Sequence, residues 1–508
     1  MSSPVITESL ERPIGRSGPR GPLNLWPVVT LPLSALVVWA VNAGGEALRW
    51  VGIGSLAWSL AIPMLVSLEA GLFALMLFEP LRGFLRRAQY LFLPYTSTDP
   101  IHLITPAVTA LGFVLLLQRQ KLKVFHARPM AGLVSLLGLI YFLQIFNPIQ
   151  GGLSVGLSGA LFYLVPLAWF YFGQDMKPEF LTRALQLVVV LGLITSLYGL
   201  YQLAYGFPRF EQVWVDNTDA YSSIAVGNIK RALATYSSAE EWGRYIQVGA
   251  IVAFGFCAGA VGYLRRGSWL LCGIGLTVML LLTGQRTALF GLLLGTLILI
   301  TIGAKTLRGM VTRFMVVVAA TLLIAAAATA PTSDELLSHG EDERFQGVLT
   351  HTTKGALRPT EEGSFQERLE IWGRFATETI PHNPLGMGLG ATSLGALRFD
   401  SSNELPSVDS YFISLAISCG LPAALLFMWI LGRAALRSWR NYRAADHSPR
   451  EAQLWRVVTA LMPALILNSF FGNTFTLYSV APVGWLLVGW ISSGQPRKSE
   501  SSFSDKNR

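Results

Sequence analysis

Four charged residues stand out because each lies in a predicted loop, or at the boundary of an apolar stretch, on the same side of the chain's layout. They are Arg231, Arg286, Arg368 and Asp409. Guanidinium groups bind phosphate oxygens through paired hydrogen bonds, and a carboxylate can take a proton from a hydroxyl. Together they would suit a reaction that expels a diphosphate while activating a hydroxyl. The sequence places them on one side and at a similar depth, and their proximity is a hypothesis.

Each of these residues also has a simpler interpretation. Arg286 opens the apolar stretch in LTGQRTALF and could extend its charge to lipid headgroups. Arg231 and Arg244, in RALATYSSAEEWGRY, could be solvated loop charges. Asp409, in PSVDSYFI, could cap a helix with Ser410 beside it. If the residues act in catalysis instead, the predicted catalytic residues are Asp409, Arg286 and Arg368.

The stretch SFQERLEIWGRFATETI, residues 364–380, has helical spacing of its apolar residues. This pattern predicts a helix that packs on a bundle or lies in the membrane interface, with Arg368 and Arg374 on its polar side. His382 follows, and then glycines at three alternate positions whose amides could meet an anion. His382 has a plain interpretation as a turn residue. The predicted substrate-binding residues are Arg231, Arg244, Arg374 and His382.

The elements that must position these residues are membrane helices. Of 508 residues, 52% are hydrophobic and 14% charged, whereas a soluble domain is about 25% charged. Since a crossing needs about 20 apolar residues, we expect an all-α, polytopic integral membrane bundle of roughly 12–14 transmembrane helices. The predicted spans lie near 25–42, 51–66, 68–80, 100–118, 131–148, 155–172, 183–204, 244–264, 268–283, 286–304, 312–331, 409–433, 455–475 and 476–493.

Basic loops give the orientation, because cytoplasmic loops carry an excess of Lys and Arg. An alternating layout with both termini inside puts four basic stretches in the cytoplasm: 119–128, 265–266, 305–313 and 433–456. Arg82, Arg86 and Arg87 then fall on the outer side, against the rule. The layout predicts a disordered cytoplasmic tail at 1–24, a transmembrane bundle at 25–331 with a periplasmic loop near 205–243, a large periplasmic loop at 332–408, C-terminal transmembrane helices at 409–493 and a cytoplasmic tail at 494–508.

Several function classes find no support in the sequence. The three cysteines lie in or beside apolar stretches without metal-ligand spacing, so we expect no metal site and no cofactor. The net charge of +9 is spread through loops rather than gathered in a basic patch beside aromatic residues, so nucleic-acid binding is not expected. The loop at 332–408 carries twelve Asp and Glu against six Lys and Arg. The sequence therefore directs attention to the two long outer loops.

The motifs resemble those of the O-antigen ligase and O-antigen polymerase-like superfamily of bacterial envelope glycan enzymes. Four segments between about residues 197 and 425 carry the resemblance: LYQLAYGFP followed by RALATY, GQRTA at Arg286, RLEIW followed by PLGMGLG, and Asp409-Ser410 with Gly420 after nine residues. The ligase branch carries histidine where this chain has Asp409, and usually Gly, Thr or Tyr at Ala423. These departures favour the polymerase branch.

The resemblance implies a metal-independent glycosyltransferase of the bacterial inner membrane, with its active site facing the periplasm. The expected reaction joins undecaprenyl-diphosphate-linked oligosaccharide repeat units during exopolysaccharide, capsule or O-antigen biosynthesis. Membrane lipid, a chain-length regulator and a flippase of the same pathway are the expected partners. Two alternatives stay open: a ligase that transfers the glycan to lipid A-core or another acceptor, and a transporter of small anions such as bicarbonate. A scaffold without chemistry is a further possibility.

Overall fold

Long apolar stretches fold as helices because a helix satisfies its own backbone hydrogen bonds, which lipid cannot do. The computed structural model confirms this class: the part of the chain that it describes is helical apart from one short antiparallel hairpin. The structure describes residues 45–96, 99–126, 128–218, 225–226, 229–303, 306, 308–309, 311–312, 363–392, 408–444 and 448–493.

Fifteen helices and two strands organise the described residues, apart from short turns of 3–10 or π type and one three-residue helical turn. In chain order they are α1 (Gly45–Val66), α2 (Leu68–Ala88), α3 (Ile104–Gln120), α4 (Ala131–Gln144), α5 (Leu153–Gly173), α6 (Pro178–Tyr205), α7 (Arg209–Asn217), β1 (Ala225–Val226), β2 (Ile229–Lys230), α8 (Ala239–Gly259), α9 (Tyr263–Leu282), α10 (Arg286–Ile302), α11 (Gly363–Arg374), α12 (Tyr411–Cys419), α13 (Leu421–Arg443), α14 (Pro449–Phe470) and α15 (Ala481–Ser493).

Within the described residues, six of these helices are long and apolar enough to cross a membrane: α1, α3 with the turns that flank it, α5, α6, α9 and α13. Three shorter apolar helices accompany them, α4, α10 and α15. The prediction of an all-α polytopic membrane protein is therefore confirmed. The predicted spans at 25–42 and 312–331, both predicted tails and most of the loop at 332–408 lie outside the described residues.

The predicted span at 409–433 is wrong in one respect, because the structure divides it into α12 and α13. The break is at Gly420, whose φ of 87° is in the left-handed region that favours glycine. A Cβ at this position would lie 2.6 Å from the carbonyl oxygen of Pro384. The nine-residue α12 therefore ends where a returning loop segment crosses it.

The long helices run between two ends of the bundle. We call one end the site face: α2, α6, α9 and α14 end there, and α8, α10, α12, α13 and α15 begin there. At the other end, the opposite face, Arg456 donates to the carbonyl of Ala258 at 3.0 Å and the amide of Met130 donates to Ser492 at 3.2 Å. The basic stretches at 119–128, 265–266 and 433–456 belong to this opposite face.

The three arginines that conflict with the charge rule are buried at the site face rather than exposed in a loop. The positive-inside rule concerns Lys and Arg in loops that are exposed to water. It does not apply to these three side chains, because buried carboxylates neutralise their charges inside the protein. Their partners are Glu79 for Arg82 (3.1 Å), Asp99 for Arg86 (3.6 Å) and Glu211 for Arg87 (2.7 Å). Their placement on the side of the outer loops therefore has a physical reason.

Close helix contacts at the centre of the bundle depend on small residues. A Cβ on Gly489 of α15 would overlap the carbonyl oxygen of Phe170 in α5, and a Cβ on Gly173 would overlap that of Leu486. The two backbones can touch only because these positions are glycines. Large aromatic side chains fill the space around this contact, among them Trp169, Phe172, Phe427, Phe475 and Trp485. This rigid centre supports the site face.

Candidate functional site

Arg231 follows strand β2 and begins a segment, residues 231–238, whose backbone is hydrogen-bonded to side chains of the helix bundle. The side-chain oxygen of Gln202 in α6 accepts from the amides of Leu233 (2.9 Å) and Ala234 (2.7 Å). The buried guanidinium of Arg87 donates to the carbonyls of Ala234 and Tyr236, both at 2.6 Å. The backbone beyond Arg231 is therefore fixed by two polar side chains from different helices.

The segment ends at the start of α8, where Ser238 caps the helix by accepting from the amide of Glu241 at 3.1 Å. Glu240, one residue earlier, pairs with Arg244 at 2.9 Å and keeps a third of its side chain exposed. Arg244 itself is 1% exposed. It also donates to Thr474 and to the carbonyls of Asn468 (2.9 Å) and Phe471 (3.4 Å).

Residues 468–474, which we call the α14 turn, hold both Arg244 and the segment before α12. The amide of Tyr411 donates to the carbonyl of Gly472 at 3.2 Å, and Asn473 donates to the carbonyl of Val408 at 2.7 Å. The ring of Trp372 in α11 lies 5.8 Å from that of Phe471. One turn therefore positions α11 and the N-termini of α8 and α12.

Arg368 and Asp409 form an ion pair at the site face. Nη2 of Arg368 lies 2.8 Å from Oδ2 of Asp409, and the two side chains are 39% and 42% exposed. Ser410, rather than Asp409, caps α12, since its hydroxyl accepts from the amide of Ile413 at 3.5 Å. Asp409 is thus left to face Arg368 and the solvent.

Arg286 is the first residue of α10 and follows a tight turn. Gly284 has a φ of 72°, a conformation that favours glycine, and it turns the chain from α9 into α10. No side chain caps this helix: its N-cap residue, Gln285, makes no capping hydrogen bond. The positive end of the helix dipole therefore adds to the charge of Arg286. The N-termini of α8, α10 and α12 all lie at the site face.

The charges of these residues act on one another, which brings four predicted residues into one cluster. Burial lowers the pKa of Arg231 to about 10, helped by the charges of Arg286 and Arg368, whereas Glu240 and Asp409 oppose the change. Arg231 therefore stays charged at neutral pH but is poorly compensated. Its Nε is buried and has no hydrogen-bond partner among the described residues. An anion placed there would supply the missing acceptor and the missing charge.

The glycine-rich segment 384–390 does not offer its amides to an anion, contrary to the sequence-based hypothesis. The amides of Met387 (2.8 Å), Gly388 (3.0 Å), Leu389 (3.1 Å) and Gly390 (3.0 Å) donate respectively to Ile417, Ser418, Gln144 and Gln150. The glycines are needed for close packing, since a Cβ on Gly390 would overlap the carbonyl of Val155. The segment locks the end of the large loop onto α4, α5 and α12.

The other predicted binding residues occupy different positions. Arg374 is exposed at the end of α11, roughly 120° around the helix from Arg368. His382 is exposed, and its Nδ1 lies 2.6 Å from the carbonyl of Glu378 in the same short turn. Arg244 is buried and bound to protein atoms, so it supports the site rather than lining it.

Glu240 is the member of the cluster that sequence reasoning missed. A signal was present: an acidic pair, Glu240 and Glu241, lies just before the predicted span at 244–264, and carboxylates favour the N-terminal end of a helix. The spacing of four residues between Glu240 and Arg244 also suits an ion pair on one helix face, but nothing in the sequence indicates that the α14 turn encloses both. Within the described residues, no group of three or more His, Cys, Asp or Glu side chains is placed to hold a metal ion.

Three guanidinium groups and two carboxylates lie at the site face, close to the uncapped N-terminus of α10, and this arrangement favours binding of a phosphate-bearing anion. Residues 270–428 match the profile of the O-antigen ligase family. That segment contains Arg286, Arg368 and Asp409, while Arg231 and Glu240 precede it. A comparison with curated proteins finds no match. Residues 270–428 are therefore similar to the O-antigen ligase family, and this similarity supports a glycan ligase- or polymerase-like function.

Proposed function

We propose that this protein is a polysaccharide polymerase that joins polyprenyl-diphosphate-linked oligosaccharide repeat units on the periplasmic side of a bacterial inner membrane. The observation that carries the proposal is the undercompensated Arg231, with a buried Nε that lacks a partner among the described residues, in a cluster with Arg286 and Arg368. A diphosphate has the charge and the acceptor oxygens that such a cluster lacks.

In the proposed reaction, the growing glycan on its carrier is the donor and a hydroxyl of a new lipid-linked repeat unit is the acceptor. The acceptor oxygen forms a bond to the anomeric carbon, and the bond from that carbon to the diphosphate oxygen breaks. The electron pair leaves with the diphosphate, where Arg231, Arg286 and Arg368 stabilise the negative charge. The proton of the acceptor hydroxyl passes to Asp409.

The remaining polar residues have supporting roles in this scheme. Glu240 orients Arg231, and Arg244 fixes Glu240 through its contacts with the α14 turn. The polyprenyl tail is expected to lie against the apolar helices beside the site. A flippase supplies lipid-linked units to this face, and a chain-length regulator acts on the same product. The reaction uses neither a metal ion nor a nucleotide sugar.

The ligase function is the second candidate, and the match to an O-antigen ligase profile favours it. The two functions differ only in the acceptor: another lipid-linked repeat unit for a polymerase, lipid A-core or a different final acceptor for a ligase. Asp409 in place of the ligase branch's histidine supports the polymerase.

A chain-length profile of lipid-linked glycans tests the proposal. Cells that lack the protein are complemented with wild type, Arg231→Lys, Arg368→Lys or the control Arg209→Lys, which alters an exposed arginine of α7 at the same face. Single carrier-linked units in the null strain, long chains with wild type and the control, and loss of chains in both site variants would support the polymerase. Lysine keeps the charge but cannot form the paired hydrogen bonds.

Two results would contradict the proposal. Long carrier-linked chains that accumulate in the null strain and fail to reach a final acceptor would identify a ligase. An unchanged glycan profile in every strain would exclude both glycan-transfer functions.

A further inference from the structure

A polar cavity, open to solvent, lies at the opposite face, away from the candidate site. Its volume is about 530 Å³, between the end of α3 and the end of α5, within the size range of ligand pockets, about 300–1,000 Å³. Four cationic side chains line it, together with one carboxylate and two amides. These residues are Arg119, Lys121, Lys123, Arg128, Asp175, Gln120 and Gln174.

The one carboxylate of the cavity is already engaged. Gln120 donates to the side chain of Asp175, and the positive charge of Arg128 also acts on it. Burial of Asp175 raises its pKa above the ordinary value, against the influence of Arg128 and Gln120. The exposed cations at 119, 121, 123 and 128 therefore dominate the cavity, and its electrostatic preference is for an anion.

Gln174 provides an independent indication of a ligand. Its side chain is 4% exposed and lines the cavity, and its Nε2 is buried without a hydrogen-bond partner among the described residues. Buried donors are nearly always paired. A phosphate oxygen in the cavity would accept a hydrogen bond from this amide. The cationic side chains of the loop cannot do so, because they offer no acceptor.

The segment beside the cavity has features that are typical of the lipid boundary. Lys121 has a φ of 54°, a strained conformation for a residue with a side chain, and it turns the chain from α3 into the 3–10 turn Lys121–Phe125. Leu122, between the two lysines, is 73% exposed, whereas Val124 is 1% exposed. An exposed leucine flanked by lysines is typical of a segment at the lipid–water interface.

We propose that this cavity binds a phosphate group, carried by the headgroup of an anionic membrane lipid. Basic pockets between helices at a membrane surface have this preference. The proposal is independent of the glycan-transfer function, because it rests on residues at the other end of the bundle.

Native mass spectrometry of the full-length protein in detergent tests it, with phosphatidylglycerol compared with zwitterionic phosphatidylcholine and with inorganic phosphate. A hydrogen bond between charged groups contributes about a factor of 10 or more to binding, so Lys121→Ala/Lys123→Ala should bind phosphatidylglycerol at least about 10-fold more weakly. The matched control is Arg265→Ala/Arg266→Ala, which removes two exposed arginines of the same face outside the cavity. The control should bind as wild type does.

Gln174→Met distinguishes a built site from general surface charge, because it removes the buried donor and leaves the net charge unchanged. A several-fold weaker binding of phosphatidylglycerol in this variant supports the site. Binding of inorganic phosphate that competes with the lipid would identify free phosphate as a second source of the same chemistry. Equal losses in the cavity and control variants, or equal binding of both lipids, would overturn the proposal.

Discussion

Replacing Asp409 with asparagine distinguishes a chemical role of this carboxylate from a structural one. The Asp409–Arg368 pair is about two-fifths exposed on both sides, and exposed ion pairs contribute at most about 1 kcal/mol. The start of α12 keeps its Ser410 cap and its bond from Tyr411 to Gly472. Loss of the pair alone should therefore lower the rate by no more than about 5-fold. Loss of a general base should lower it by about 10²- to 10⁴-fold.

The assay is glycan transfer by purified protein in nanodiscs with a defined polyprenyl-diphosphate oligosaccharide, accompanied by a thermal unfolding curve. We expect Asp409→Asn to unfold within a few degrees of wild type and to retain less than about 1% of its activity. Retention of more than about a tenth of the activity would refute the assignment of Asp409 as the base.

A second variant excludes an indirect effect through Arg368. If Asp409 acts only by holding that arginine, Asp409→Asn should have no further effect when Arg368 is already glutamine. If Asp409 accepts the proton, the double variant Arg368→Gln/Asp409→Asn should lose a further factor of about 100 or more.

Three other variants test the supporting residues. Gly472→Ala should lower the melting temperature and the activity together, because the added Cβ overlaps the Arg244 guanidinium and lies 2.6 Å from Oε1 of Glu240. Such overpacking costs about 1–3 kcal/mol, and unchanged unfolding and transfer would contradict the described contact. Glu240→Gln should bind inorganic diphosphate about 5-fold more tightly by calorimetry, because the variant removes a negative charge whose repulsion is worth about 1 kcal/mol. The variant should also unfold at a lower temperature. Weaker diphosphate binding would argue against an anion site beside Glu240. Arg87→Met leaves the buried carboxylate of Glu211 without its cation, at a cost of about 3–5 kcal/mol, so the melting temperature of the detergent-solubilised protein should fall. The double variant Arg87→Met/Glu211→Gln should regain part of the lost stability, and the absence of any rescue would contradict this explanation.

The fold class could be predicted from the sequence because apolar length is a local property. The placement of Arg231, Arg286, Arg368 and Asp409 on one side is predictable for the same reason, because it follows from the order of apolar stretches and loops. Residues at the same depth on one side of a bundle can meet: Arg368 and Asp409 form an ion pair, and the charges of Arg286, Arg368 and Asp409 act on Arg231.

What the sequence could not predict depends on partners distant along the chain. Arg244 contacts Asn468 and Phe471, more than 220 residues away, so its burial is invisible to local patterns. Residues 386–390 have the glycine-rich composition of an anion-binding loop. Only the packing of this segment against α4, α5 and α12 shows that its amides already donate hydrogen bonds to protein atoms. Arg87 likewise resembles a cytoplasmic loop charge in the sequence, because its partners Glu211 and Tyr236 lie more than 120 residues away.

The α14 turn provides a physical link between the two halves of the proposed reaction. Through Arg244 it fixes Glu240, which faces Arg231 on the side assigned to the leaving diphosphate. Through Gly472 and Asn473 it fixes the backbone on both sides of Asp409, on the side assigned to the acceptor. A displacement of this one turn therefore changes the positions of the cation and the carboxylate together. Because transfer requires both groups at the same moment, a mutation in the turn should reduce the rate more than the binding of either substrate.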